Sequence, residues 1–126
     1  MLFEHIDFLD EHFQVQKDQF IGVKDGKITY VGAQKPEGNW GNHYVGRHRL
    51  LMPGFVNAHS HAPMVMLRGY AENLPLDRWL NEKVFPFEDC FTDSAIHAAT
   101  TLACAEMLRF GTVSFSDMYF YCQTMA

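Results

Sequence analysis

The sequence predicts a small β region followed by the opening of an α/β domain, and three observations carry that prediction. A hairpin signature lies within the first third, a short apolar stretch begins at Pro53-Gly54, and a long amphipathic helix joins that stretch to a second apolar run near the end. Strand, helical crossover, strand is a βαβ unit, whose usual consequence is helix packed on parallel sheet.

The elements follow in order. Leu2, Ile6 and Phe8 share one parity, and Phe13 and Val15 are expected to resume the strand period after the polar break Asp10-Glu11-His12. Over residues 20–31 (FIGVKDGKITYV), Asp25-Gly26 separates two β-rich arms, as a type I′ hairpin turn requires. Residues 33–42 read as a polar connector with Pro36, Gly38 and Gly41, in which Trp40 should fold back as an anchor. Phe55 to His59 then reads as a strand with little polar alternation, the kind covered on both faces inside a parallel sheet.

A long loop, residues 62–75, leads to a short helix over 76–84 that should stop before Pro86. Thr92-Asp93-Ser94 can cap a longer helix over about residues 95–110. Its apolar face is expected to be Ile96, Ala99, Leu102, Ala103, Met107 and Phe110, with Gly111 as its stop. Thr112 to Phe115 reads as the second strand, closed by Asp117.

Composition narrows the function classes. With 126 residues, 48% of them hydrophobic and 20% charged, the chain is ordinary globular material. A net charge of −5 and the lack of any basic cluster exclude a nucleic acid as partner. Cys90, Cys104 and Cys122 form no CxxC and read as reduced thiols. There is no signal-peptide pattern and no apolar run near the roughly 18 residues of a membrane helix. The expectation is a cytoplasmic chain without membrane attachment.

The chemistry concentrates at His59-Ser60-His61. In a strand, residues i and i+2 project to the same face, so the two imidazoles point together while Ser60 turns away. Two imidazoles at the carboxyl end of a parallel strand suit a divalent metal, since α/β sites gather at that end of the sheet. Zinc is the common choice in hydrolytic sites, with Fe2+ and Ni2+ as alternatives. A bare His-x-His is also a common surface pattern, so the triplet alone leaves a structural role open.

The run LLMPGFVNAHSHAPMVMLRGYAENLPLDRWLNEKVFPFED, continued by LACAEMLRFGTVSFSDMYF and preceded by the DGKITYVG hairpin, resembles the amidohydrolase superfamily. It looks most like the branch of 5′-methylthioadenosine/S-adenosylhomocysteine deaminases, with chlorohydrolases and guanine- or cytosine-type deaminases as neighbours. The resemblance implies the opening part of a (β/α)8 TIM-like barrel over residues 51–126, preceded by amino-terminal strands of a composite β-sandwich over residues 1–50. It implies that His59 and His61 are metal ligands on the first barrel strand, and that the metal activates a water to attack an amino-bearing ring carbon. Glu88 matches a glutamate that holds ribose hydroxyls, which suits a carboxylate acceptor. Trp79 is a candidate for lining the substrate pocket, or a plain core residue of its short helix.

Other polar groups read as structural. Arg68 should tie its loop by hydrogen bonds, Asp117 should fix the loop at the end of its strand, His97 should be structural or exposed, and Cys104 should be a small buried residue.

The family's remaining site residues have no counterpart here. Nothing in the chain matches the later His and HxxE or the late metal-binding Asp. No catalytic acid or base is therefore assigned within the chain, and these residues are expected beyond Ala126. A catalytic zinc site normally has three protein ligands, and the barrel needs roughly 250 residues. The expectation is the amino-terminal part of a larger metal-dependent aminohydrolase, inactive by itself. Its missing strands would be supplied in cis or by another chain, with an oligomer as one route. The alternative is a non-catalytic remnant that binds metal weakly. The expected substrate is a small nucleoside or amino-heterocycle.

Overall fold

The computed structural model describes residues 1–125, with Cys122 described by its backbone alone. Ala126, the last residue of the expected barrel segment 51–126, lies outside the described residues, as does the Cys122 thiol that reads as reduced. The chain resolves into two units, the first Met1–Pro53 and the second from Gly54 onward.

The first unit is a single sheet of β1 (Leu2–Leu9), β2 (Val15–Lys24), β3 (Lys27–Gly32), β4 (His43–Val45) and β5 (Leu50–Leu51). β1 pairs antiparallel with β2 and β2 antiparallel with β3, while β4 and β5 pair in parallel with successive stretches of β1. Asp25 (φ 51°) and Gly26 (φ 72°) both take positive φ, the backbone a type I′ turn demands. The core of this sheet is Leu2 and Ile6 from β1 with Phe20 and Ile21 from β2. Trp40 folds back over β2. Its ring lies so close to Gly22 that an added Cβ would come within 2.3 Å of it, and the Lys24 ammonium sits 4.4 Å from the ring centroid.

One sequence expectation fails in this sheet. Phe13 does not resume a strand: it lies in the β1–β2 turn at φ 58° and is 81% exposed. The carboxylate of Asp10 is the reason, because its Oδ1 accepts from the backbone N–H of His12 and of Gln14 and reverses the chain there.

In the second unit, β6 (Phe55–Ser60) and β7 (Thr112–Asp117) pair in parallel, with Val56 opposite Ser114 and Ser60 opposite Asp117. The crossover begins with a 3₁₀ segment at Ala62–Leu67, where a plain loop was expected. A continuous helical run follows: α1 (Leu76–Trp79), a π-helical turn (Leu80–Val84) and α2 (Phe85–Glu88). The helix therefore does not stop before Pro86. In a regular helix the proline ring collides with the carbonyl four residues back. Here the wide turn, closed by the Phe85 N–H on the Leu80 carbonyl, precedes Pro86 and relieves that collision.

α3 (Asp93–Arg109) is capped by Thr92, whose hydroxyl accepts from the Ala95 N–H at 3.2 Å, and it ends at Gly111 with φ +88°. It buries Ile96, Ala99, Thr100 and Ala103. The Thr100 hydroxyl is satisfied by the Ile96 carbonyl at 2.8 Å. Leu102 and Phe110, expected on the buried face, are 51% and 75% exposed, and Cys104 is only half-buried. The 3₁₀ segment packs against α3, whose buried residues form a narrower stripe than the periodicity marks. β6 is likewise not covered on both faces. Among the described residues it has one paired neighbour, and no residue of β6 or β7 is buried. α4 (Cys122–Met125) closes the described chain. Among the described residues, no helix is long and apolar enough to cross a membrane.

Candidate metal and substrate site

The carboxyl ends of the two parallel strands carry the polar residues singled out in the sequence. β6 delivers His59 and, one residue past its end, His61, so the strand's alternation turns both rings to one side. Their Nε2 atoms lie 3.3 Å apart. Two nitrogens bound at about 2.0–2.1 Å to one tetrahedral zinc stand about 3.3–3.4 Å apart, so the spacing fits a shared divalent cation.

The ring of His61 is oriented by the next strand. Its Nδ1 donates to the Met118 carbonyl at 2.9 Å, just beyond β7, which leaves Nε2 with its lone pair outward. Asp117, at the end of β7, accepts the Ala62 N–H on Oδ2 at 2.8 Å. It thereby pins the backbone immediately after His61, while its Oδ1 is buried and takes no hydrogen bond from the described residues. Loop fixing, the role expected of Asp117, is the contact observed. No group of three or more His, Cys, Asp or Glu capable of holding a metal occurs among the described residues. The donor set they offer is the histidine pair. The acid and base expected beyond Ala126 lie outside the described residues.

Beside His61 opens a cavity of about 330 Å³. Its wall is mostly apolar, with Met64, Leu76 and Phe120 among its residues, and it includes both Trp79 and Glu88. Trp79 is half-buried on α1, and Glu88 ends α2, half-buried. Glu88 is not a loose surface charge: its Oε1 accepts a hydrogen bond from the Tyr119 hydroxyl. Burial, and then the Glu88 hydrogen bond and charge, push the Tyr119 phenol well above its ordinary pKa, so it remains a protonated donor.

Tyr119 was missed in the sequence. The only signal available was its position two residues past the carboxyl end of a parallel strand, where α/β sites collect. The remaining candidates lie apart from the cavity wall. Arg68 makes a two-pronged ion pair with Glu106 at 2.9 and 2.6 Å, tying the segment after the 3₁₀ turn to α3. His97 is exposed on α3.

Known proteins resemble this chain in sequence and in the arrangement of its elements. Residues 50–126 match the profile of the amidohydrolase family. The chain is 48% identical over 115 residues to a 5-methylthioadenosine/S-adenosylhomocysteine deaminase of Clostridium tetani, covering 90% of this chain and 27% of the relative. It is 42% identical over 105 residues to a 5′-deoxyadenosine deaminase of Methanosarcina barkeri, covering 83% and 24%. Among solved structures, an adenosine deaminase from Xanthomonas campestris with bound zinc superposes with a TM-score of 0.83 at 35% identity, over 99% of this chain and 30% of that one. The chain thus spans about a quarter of the length of the curated relatives it matches.

Proposed function

The chain belongs to the amidohydrolase family, and from that premise we propose that it forms the metal-binding amino-terminal part of an enzyme that hydrolytically deaminates an adenosine-type nucleoside. The single observation that carries the reading is the pairing of the two Nε2 atoms at 3.3 Å beside a cavity that contains a carboxylate.

His59 and His61 would hold the divalent metal, with zinc favoured by the imidazole donors and by the zinc in the Xanthomonas campestris structure. When bound, that metal supplies an activated water for attack on the ring carbon that bears the amine. This chain's own residues do the rest of what can be derived. The Met118 carbonyl holds His61 with Nε2 toward the metal position. The apolar wall with Trp79 excludes water from a flat base, and Glu88 accepts from the sugar hydroxyls. Names of relatives with a methylthio, homocysteinyl or deoxy group at the 5′ position support a site open on that side of the sugar.

In this reading, residues 51–126 open a (β/α)8 barrel and residues 1–50 contribute to a flanking β-sandwich. The acid and base residues come from strands beyond Ala126, supplied in cis or by another polypeptide. The test is ammonia release from an adenosine-type nucleoside by the protein assembled with those strands. The expected result is activity that is lost on chelation and in His61→Ala, with none from residues 1–126 alone. Release that survives both treatments, or none from the assembled protein, contradicts the reading.

A further inference from the structure

Glu88 offers about four acceptor positions on its two oxygens, and a ligand diol would need its carboxylate turned the right way. Glu88 lies on the last turn of α2, where the helical run ends. What reaches the carboxylate is the Tyr119 hydroxyl, from the segment after β7 and 31 residues away in the chain. Tyr119 and Glu88 line the same cavity as His61. The same segment also supplies the Met118 carbonyl to His61. Consecutive residues after β7 thus touch the metal-ligand candidate and the sugar-binding candidate at once.

We propose that Tyr119 is a positioning residue for substrate: its hydroxyl occupies one acceptor site on Glu88 Oε1 and turns the carboxylate so that Oε2 and the remaining lone pairs receive a cis-diol. The inference rests on the deaminase reading of the site. It predicts that sugar recognition depends on the Tyr119 hydroxyl through Glu88.

The experiment uses the native assembly containing this chain, loaded with zinc, and adenosine-type nucleosides that carry the ribose diol or lack one hydroxyl of it. Tyr119→Phe removes only the hydroxyl. The expected result is a KM for the diol substrate raised roughly tenfold, the scale of a lost hydrogen bond to a charged group, with kcat within about twofold and with discrimination against the deoxy substrates reduced. In a Glu88→Ala background the same change should have no further effect on KM, because the group it positions is gone. An unchanged KM overturns the inference, and a lowered KM overturns it in favour of Tyr119 competing with the diol for Glu88. An equal loss on all substrates, or a full additional loss in Glu88→Ala, also overturns it, since either marks a structural role. If the wild-type assembly deaminates none of these nucleosides, the functional reading itself fails; activity in the wild type with no effect of Tyr119→Phe removes only the positioning role.

Discussion

The two units bury their apolar side chains in opposite places. In the first, the core lies on strands: Leu2, Ile6, Phe20 and Ile21 come from β1 and β2. In the second, the buried apolar residues are Ala62, Pro63, Leu67, Val84, Ile96, Ala99 and Ala103, all on helical segments, while Phe55, Val56 and Val113 on the strands are more than half exposed. Hairpin pairing explains the first case, because β1, β2 and β3 find their partners within a few residues of turn. The parallel pair cannot do this. Each strand needs a long crossover to meet its neighbour, and a two-stranded parallel ladder has bare faces and open edges. Within residues 54–125 the buried side chains therefore come from the helical segments. The histidine pair, Asp117, Met118 and Tyr119 all sit at the strands' carboxyl ends.

The largest effect expected from breaking this arrangement is on metal binding. His59→Ala with His61→Ala should abolish zinc uptake measured by titration calorimetry, a loss exceeding the roughly 10–100-fold typical of removing an outer-sphere partner. The first unit should unfold as before. Retained zinc in the double variant would place the metal elsewhere.

Core truncations test the contrast itself. Ile21→Ala on β2 and Ile96→Ala on α3, both wholly buried, should each cost about 2–5 kcal/mol in urea unfolding. In residues 1–126, Val56→Ala on β6, 71% exposed, should stay within about 0.5 kcal/mol. Trp40 and Trp79, the chain's two tryptophans, report the units separately when the other is changed to Phe. A large cost at Val56 would show that the strand face is covered.

A smaller effect is expected at the Trp40 anchor. Gly22→Ala brings a methyl within 2.3 Å of the Trp40 ring, so the ring must move, at a cost of about 1–3 kcal/mol. A shift in Trp40 emission would accompany it.

Smallest is the acid response of the first unit. The carboxyl of Glu4 is held below its usual range by hydrogen bonds first from His43 and then from Lys35, and that of Asp7 by Lys17 and then the Asp18 N–H. Asp10 is lowered likewise by the Gln14 N–H and the Gln16 amide. A lowered folded-state pKa stabilises above the unfolded carboxylate value of about 4 and is lost as pH falls through the folded value. The melting temperature of this unit should therefore drop on acidification from about pH 5 to pH 3, and Glu4→Gln should flatten part of that drop. A melting temperature that rises in this window would contradict the sign.

How much was legible in the sequence followed the range of the interaction. Asp25-Gly26, the Thr92 cap and the Gly111 stop are local, and each element they mark is present. The α3 face was only partly legible, because periodicity marks an apolar stripe without saying which part of it meets a neighbour. Leu102 and Phe110 belong to the part left exposed. The helix through Pro86 was illegible because the π-turn that makes it tolerable has no side-chain signature. His59 and His61 could be paired from strand alternation alone. Tyr119 could not be joined to Glu88, since the bond spans 31 residues and depends on how the crossover folds back.

The metal assignment is put at risk most sharply by zinc titration of residues 1–126 with 15N-labelled histidine, followed by NMR. The expected result is that the Nε2 resonances of His59 and His61 shift together on zinc addition, while His61 Nδ1 keeps its proton and its bond to the Met118 carbonyl. Zinc binding through Nδ1 of His61, or shifts confined to other histidines, would contradict it.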